Sequence, residues 1–82
     1  MSVYKSNEPV AKARCLIDLK DGESGVICTN RDRKSTEMGL FPGSRVVMFR
    51  NRKTEQSLVI GAGDARYLIS RTIAQKVEIA VS

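Results

Sequence analysis

The chain contains no histidine and no tryptophan, and its 82 residues include only two cysteines, two prolines, two tyrosines and two phenylalanines. Without histidine there is no Ser–His or Cys–His pair, and no carboxylate pair lies in a recognisable catalytic context. The usual arrangements for nucleophilic or acid–base chemistry are therefore missing, and an enzyme is not expected. Cys15 and Cys28 are too few to staple a secreted mini-domain. They also supply too few ligands for zinc or iron, and no Asp or Glu cluster with ligand-like spacing completes them. No cofactor is expected, with weak iron or zinc binding left open. No run approaches the roughly 18 consecutive apolar residues of a membrane helix. The opening MSVYKSNEP lacks the apolar core of a signal peptide. These absences lead to the expectation of a soluble, cytoplasmic protein with reduced thiols and no membrane insertion.

What is present is an ordinary globular mixture, 41% hydrophobic and 28% charged. The length implies one domain, of which a chain this size buries roughly 60% of its unfolded surface, so the core is thin. Residues 1–12 are polar, contain Pro9 and read as a lead-in, and the domain is expected over 13–82. Fourteen Lys and Arg against nine Asp and Glu give a net charge of +5. That balance favours an anionic partner of some kind (nucleic acid, an acidic protein surface or a lipid headgroup) without choosing among them.

Short apolar bursts bounded by turn residues predict strands. The first is ARCLIDL, 13–19. Asp21-Gly22 then signals a hairpin that would set Cys15 opposite Cys28, unless a wider loop to Gly25 breaks that register. After GVICT, 25–29, a short helix is expected over 31–38, with Asn30 as N-cap, Asp32 in its first turn and Gly39 just past its end. Phe41-Pro42-Gly43-Ser44 has the Pro-Gly order of a type II turn and launches RVVMFR, 45–50. There Val46 and Met48 face inward while Val47 and Phe49 face the other way. LVIGAG alternates with Leu58, Ile60 and Ala62 on one face. YLISRTIA reads as a strand exit followed by a helical turn at about 70–75, and KVEIAV closes the chain. Five short strands with so little core imply a mainly β, closed or nearly closed small barrel.

Several features have a plain structural reading. Gly61-x-Gly63 follows a strand, but a dinucleotide fingerprint needs a third glycine and a following helix, so a bend in a barrel strand is expected instead. Leu40 is expected to cover the barrel end. Phe41 either packs on Val47 or Phe49 or projects outward as a docking anchor. Arg31 and Arg33 oppose the helix dipole, which leaves them a use other than helix stability. The candidate partner-binding surface is therefore Leu40, Phe41, Pro42 and Gly43, rimmed by Arg31, Arg33 and Lys34.

The order of these elements resembles the ferrous-iron-transport protein A family (FeoA). The residues that carry the likeness are Glu37-Met38-Gly39-Leu40, Pro42-Gly43, Val46, Met48, Leu58, Ile60, and Ile69, Arg71, Ala74, Val77 and Ile79. The likeness spans about residues 13–81. It implies an SH3-like barrel and a cytosolic accessory that binds the GTPase-like cytosolic part of a FeoB-type membrane transporter. Ser35 departs from the pattern, since such helices generally carry an apolar residue there; a thinly anchored helix is the expected consequence. The same barrel occurs as a module of metal-dependent repressors. Two other functions stay open on the residues: a basic nucleic-acid-binding barrel and a metal-responsive regulatory domain.

Overall fold

The structure, a computed structural model, describes residues 12–81. Of the lead-in expected over 1–12, all but Lys12 lies outside the described residues. Strand β1 (Lys12–Cys15) runs into a single 3₁₀ turn (Leu16–Asp18), followed by β2 (Ser24–Asn30) and helix α1 (Arg33–Glu37). Then come β3 (Arg45–Arg50), β4 (Ser57–Ala62), β5 (Ala65–Ser70), α2 (Arg71–Ala74) and β6 (Val77–Val81). The six strands form one antiparallel sheet in the order β1-β6-β2-β3-β4-β5. Register shifts at Cys28, between β2 and β6, and at Phe49, between β3 and β4, add local twist and let so small a sheet curl.

Curling puts one face inside. Leu16, Leu19, Ile27, Leu40, Val46, Met48, Leu58, Ile60, Ile69, Ala74, Val77 and Ile79 make a single core. Each fully buried aliphatic side chain of this kind contributes about 1.5–3 kcal/mol relative to exposure. The alternation expected in β3, β4 and β6 holds: Val46 and Met48, Leu58 and Ile60, Val77 and Ile79 are all buried.

Three local expectations are revised. The segment before Asp21-Gly22 does not form a hairpin with β2. β1 pairs with β6, with Cys15 opposite Glu78 rather than Cys28. Asp21-Gly22 still makes a turn, closed by the Glu23 N–H on the Lys20 carbonyl at 2.9 Å. However, the 3₁₀ turn buries Leu16 and Leu19, and that burial wins over a longer hairpin. At α1 the N-cap is Asp32, not Asn30, because its carboxylate reaches the Ser35 N–H at 2.8 Å. Finally, the expected strand exit at Tyr67 is a complete six-residue strand, β5, so the barrel has six strands rather than five. Gly63-Asp64 turns the hairpin that creates it, where a bend was expected. Gly61 lacks a side chain for a different reason: a Cβ there would lie 2.4 Å from the Phe49 ring.

Candidate protein-docking surface

The surface is built from the short segment between β2 and β3. Helix α1 has only five residues and so cannot be stable alone. Its first turn is held by Asp32, and the Ser35 N–H bond keeps that carboxyl below the ordinary aspartate range. Asn30, freed from capping, becomes a brace: its Nδ2 donates to Ser35 Oγ at 2.9 Å and to the Leu40 carbonyl at 2.8 Å, and its Oδ1 accepts from the Asp32 N–H. Ser35 is only 4% exposed. The helix is anchored, contrary to the thin anchoring expected of Ser35, and the anchor is a hydrogen-bond network instead of an apolar contact.

The helix ends in a Schellman arrangement. The Gly39 N–H bonds the Thr36 carbonyl and the Leu40 N–H bonds the Ser35 carbonyl, with Gly39 at φ 128°. Leu40 then drops into the core, at 1% exposure. The next four residues form the expected type II turn, Ser44 N–H to Phe41 carbonyl at 3.0 Å with Gly43 at φ 97°. Three further bonds clamp it: Gly43 N–H to the Ile27 carbonyl, Ile27 N–H to the Ser44 carbonyl, and Ser44 Oγ to the Gly39 carbonyl.

On this clamped turn Phe41 is 51% exposed, and Pro42 and Gly43 are exposed beside it. Phe41 lines a shallow groove of about 480 Å³ with Ser44, Arg45, Ala62 and Tyr67. Tyr67 donates its hydroxyl to the Met38 carbonyl at 2.8 Å and separates this groove from a smaller slot of about 130 Å³. The slot is walled by Met38, Leu40, Ile69 and Ile73, with Lys34 on its rim. Met38 is 57% exposed and Leu68 73% exposed.

Of the expected rim, only Lys34 lines either depression. Arg33 pairs with Glu37 on the helix surface, and Arg31 is turned to the Gln75 carbonyl. Arg45, not among the expected residues, is the cation of the Phe41 groove. Met38, Tyr67 and Leu68 were also missed. Leu68 was legible in principle, because in a strand it must face opposite to Tyr67 and Ile69.

A larger depression, about 600 Å³, lies at the other end of β3 around Asn51 and Arg71. Asn51 Nδ2 donates to the Ile17 and Leu19 carbonyls, and Arg71 binds Asn51 Oδ1 and the Glu55 and Arg52 carbonyls. Asn51, Arg52, Asp21 and Arg71 are turned onto one another or onto carbonyls, which makes this part of the depression a structural junction. Among the described residues no three His, Cys, Asp or Glu converge on a point where a metal could sit. No helix among them is long and apolar enough to cross a membrane.

A six-stranded curled sheet with two single-turn helices and a rigid, half-apolar turn defines a small SH3-like barrel module. The chain belongs to the FeoA domain family, whose profile matches residues 14–81, and is thereby associated with ferrous iron transport. Solved structures agree on the fold. An iron uptake regulatory protein, FeoA, is 20% identical with a TM-score of 0.78, the match covering 87% of this chain and 99% of that one. Stenotrophomonas maltophilia FeoA in complex with zinc is 22% identical with a TM-score of 0.69, over 82% of this chain and 87% of that one. A manganese-dependent transcriptional repressor is 20% identical with a TM-score of 0.79; the match covers 93% of this chain but only 45% of the repressor. No curated protein sequence matches this chain.

Proposed function

We propose that this protein is a non-catalytic, cytoplasmic adaptor that binds the cytosolic, GTPase-like part of a FeoB-type ferrous iron transporter through the Phe41 turn. The observation that carries the reading is a half-exposed phenylalanine on a turn closed by the Ser44 N–H on the Phe41 carbonyl and clamped by three further hydrogen bonds. Such a side chain loses little freedom on binding, so more of its burial appears as affinity. Membership of the FeoA family supplies the transport context. The nucleic-acid alternative finds less support. The Phe49 ring is covered by Arg66 at 4.7 Å and the Tyr67 hydroxyl is tied to Met38, which leaves Phe41 without the run of rings that single strands stack on.

The test is calorimetry with the recombinant cytosolic region of such a transporter. Phe41→Ala is expected to weaken binding by about 1 kcal/mol or more, roughly fivefold, with an unchanged unfolding curve. Equal binding by the variant, or none by the natural protein, removes the reading.

A further inference from the structure

The sheet stops at β5. β4 pairs with it in unbroken register from Ala62 opposite Ala65 to Ser57 opposite Ser70. Beyond the strand, the Arg71 N–H still reaches the Gln56 carbonyl at 3.1 Å. That bond fixes the phase: residues 65, 67 and 69 turn their main-chain groups to β4, so those of Arg66 and Leu68 turn away from it. No other hydrogen bond to these four groups occurs among the described residues. Two of the usual protections of a sheet edge are also missing here, Arg66 being the one charged residue of the strand. β5 has no proline and no bulge, and Leu68 stands almost free on it. Alongside lies the slot walled by Met38, Leu40, Ile69 and Ile73.

We propose that β5 is a receiving edge: an extended, acidic segment of a protein partner adds to it as a seventh strand and drops one aliphatic side chain into the slot. This rests on the adaptor reading and specifies the partner segment. The open donors and acceptors select an extended chain, since only that conformation offers matching groups at about 6.8 Å intervals. The slot selects an aliphatic side chain of modest size. Charge selects carboxylates on either side. Lys34 on the slot rim and Arg45 in the adjoining groove take part in none of the four ion pairs among the described residues, nor does Arg66, whose guanidinium rests over the Phe49 ring. Of the acidic groups nearby, Asp32 also lines the slot and stays ionised, its carboxylate accepting from the Ser35 N–H, and Asp64 lies in the turn before β5, so the three cations outnumber these two carboxylates. A second copy of this chain fits poorly, because antiparallel pairing would bring the Arg66 side chains onto one edge of two molecules each carrying +5.

Residue-resolved amide exchange tests this. One sample holds the cytosolic region of a FeoB-type transporter, and a second holds an eight-residue peptide alternating glutamate and valine at up to millimolar concentration. Exchange at Arg66 and Leu68 should slow at least tenfold, while Tyr67 and Ile69, already bonded to β4, change little. An otherwise identical peptide with lysine in place of glutamate should bind at least fivefold more weakly. Leu68→Pro removes only an outward donor and should abolish the effect, with Tyr67 and Ile69 exchange reporting that the sheet survives. If it does not survive, Leu68→Glu, which sets a like charge against the acidic strand on an intact fold, should weaken protection at Arg66 and position 68 at least fivefold. Transporter binding without protection at Arg66 and Leu68 overturns the edge while leaving the adaptor reading in place. If the transporter does not bind, the adaptor reading fails and the peptide decides: protection upholds an acidic strand on β5, and its absence, or equal binding of the lysine peptide, overturns it.

Discussion

The two ends of β3 face opposite problems and solve them differently. At its far end Arg50 and Asn51 lead into a junction where Arg50, Asn51, Arg52, Asp21, Glu55 and Arg71 are bonded to one another or to carbonyls. Arg50 pairs with Glu55 through both Nε and Nη2, Arg52 with Asp21, and Asn51 binds two carbonyls of the first loop. At its near end the same strand begins from a turn that shows solvent a phenylalanine, a proline and a neighbouring methionine. The first end uses most of its polar side chains to bind loops together. The second end is clamped through its backbone, and its apolar side chains are left over. Both ends are held by hydrogen bonds, and what separates them is the apolar side chains that the near end leaves exposed.

Breaking the polar end should have the largest effect. Asn51→Leu strands the Ile17 and Leu19 carbonyls and removes one of the three acceptors of Arg71, so it should cost about 2–3 kcal/mol in urea unfolding. Partner binding measured below the transition should stay unchanged. Next comes Gly39→Ala. A Cβ would sit 2.7 Å from the Tyr67 hydroxyl and must adopt φ 128°. The loss should be about 1–2 kcal/mol, and nuclear magnetic resonance shifts should move at Met38 and Tyr67 but not at Asn51. That contrast sharpens the comparison, because the change acts on one end alone. Phe41→Ala should leave stability within about 0.5 kcal/mol while weakening binding.

The smallest effect is that of pH. Asp21 and Glu55 at the polar end and Asp32 at the other are all held below their ordinary values. For Asp21 the first cause is the Asn51 N–H, for Glu55 the Arg50 side chain, and for Asp32 the Ser35 N–H. Each contributes stability that is complete above the ordinary carboxyl range near pH 4 and is lost as pH falls through the depressed folded values. Unfolding midpoints should be flat from about pH 8 to 6 and decline below about pH 4. Asp32→Asn, which keeps a capping oxygen, should flatten part of that decline.

Much of this architecture was legible in the residues. Alternation placed the cores of β3, β4 and β6, and Gly39 and Pro42-Gly43 announced the helix end and the turn because each fills a backbone geometry that few other residues accept. Two things were not legible. The pairing of β1 with β6 joins residues more than sixty positions apart, and no local pattern encodes such a contact. The Asn30–Ser35–Leu40 brace was hidden because a polar residue in a helix reads as solvent-facing; only the fold shows that Ser35 is inside. Within the candidate surface, Leu40 is buried as expected, and Phe41, which the residues left open between packing and projecting, is exposed. Arginine placement was the weak point, since long cationic side chains leave their backbone position behind. Arg31 reaches Gln75, and Arg45 occupies the place expected of the helix cations.

The five-residue helix has a consequence for the lifetime of the protein. It borrows its order from Asn30 and Leu40, and therefore from the barrel, so the docking turn and the fold form or are lost together. A partner that grips this turn stabilises the entire domain by mass action, about 2.7 kcal/mol at a hundredfold excess over its dissociation constant. Protein without a partner would spend a larger fraction of time unfolded and be cleared faster by proteases. Under the proposed adaptor role, cells making less transporter would hold less of this protein, with no regulator of its synthesis required.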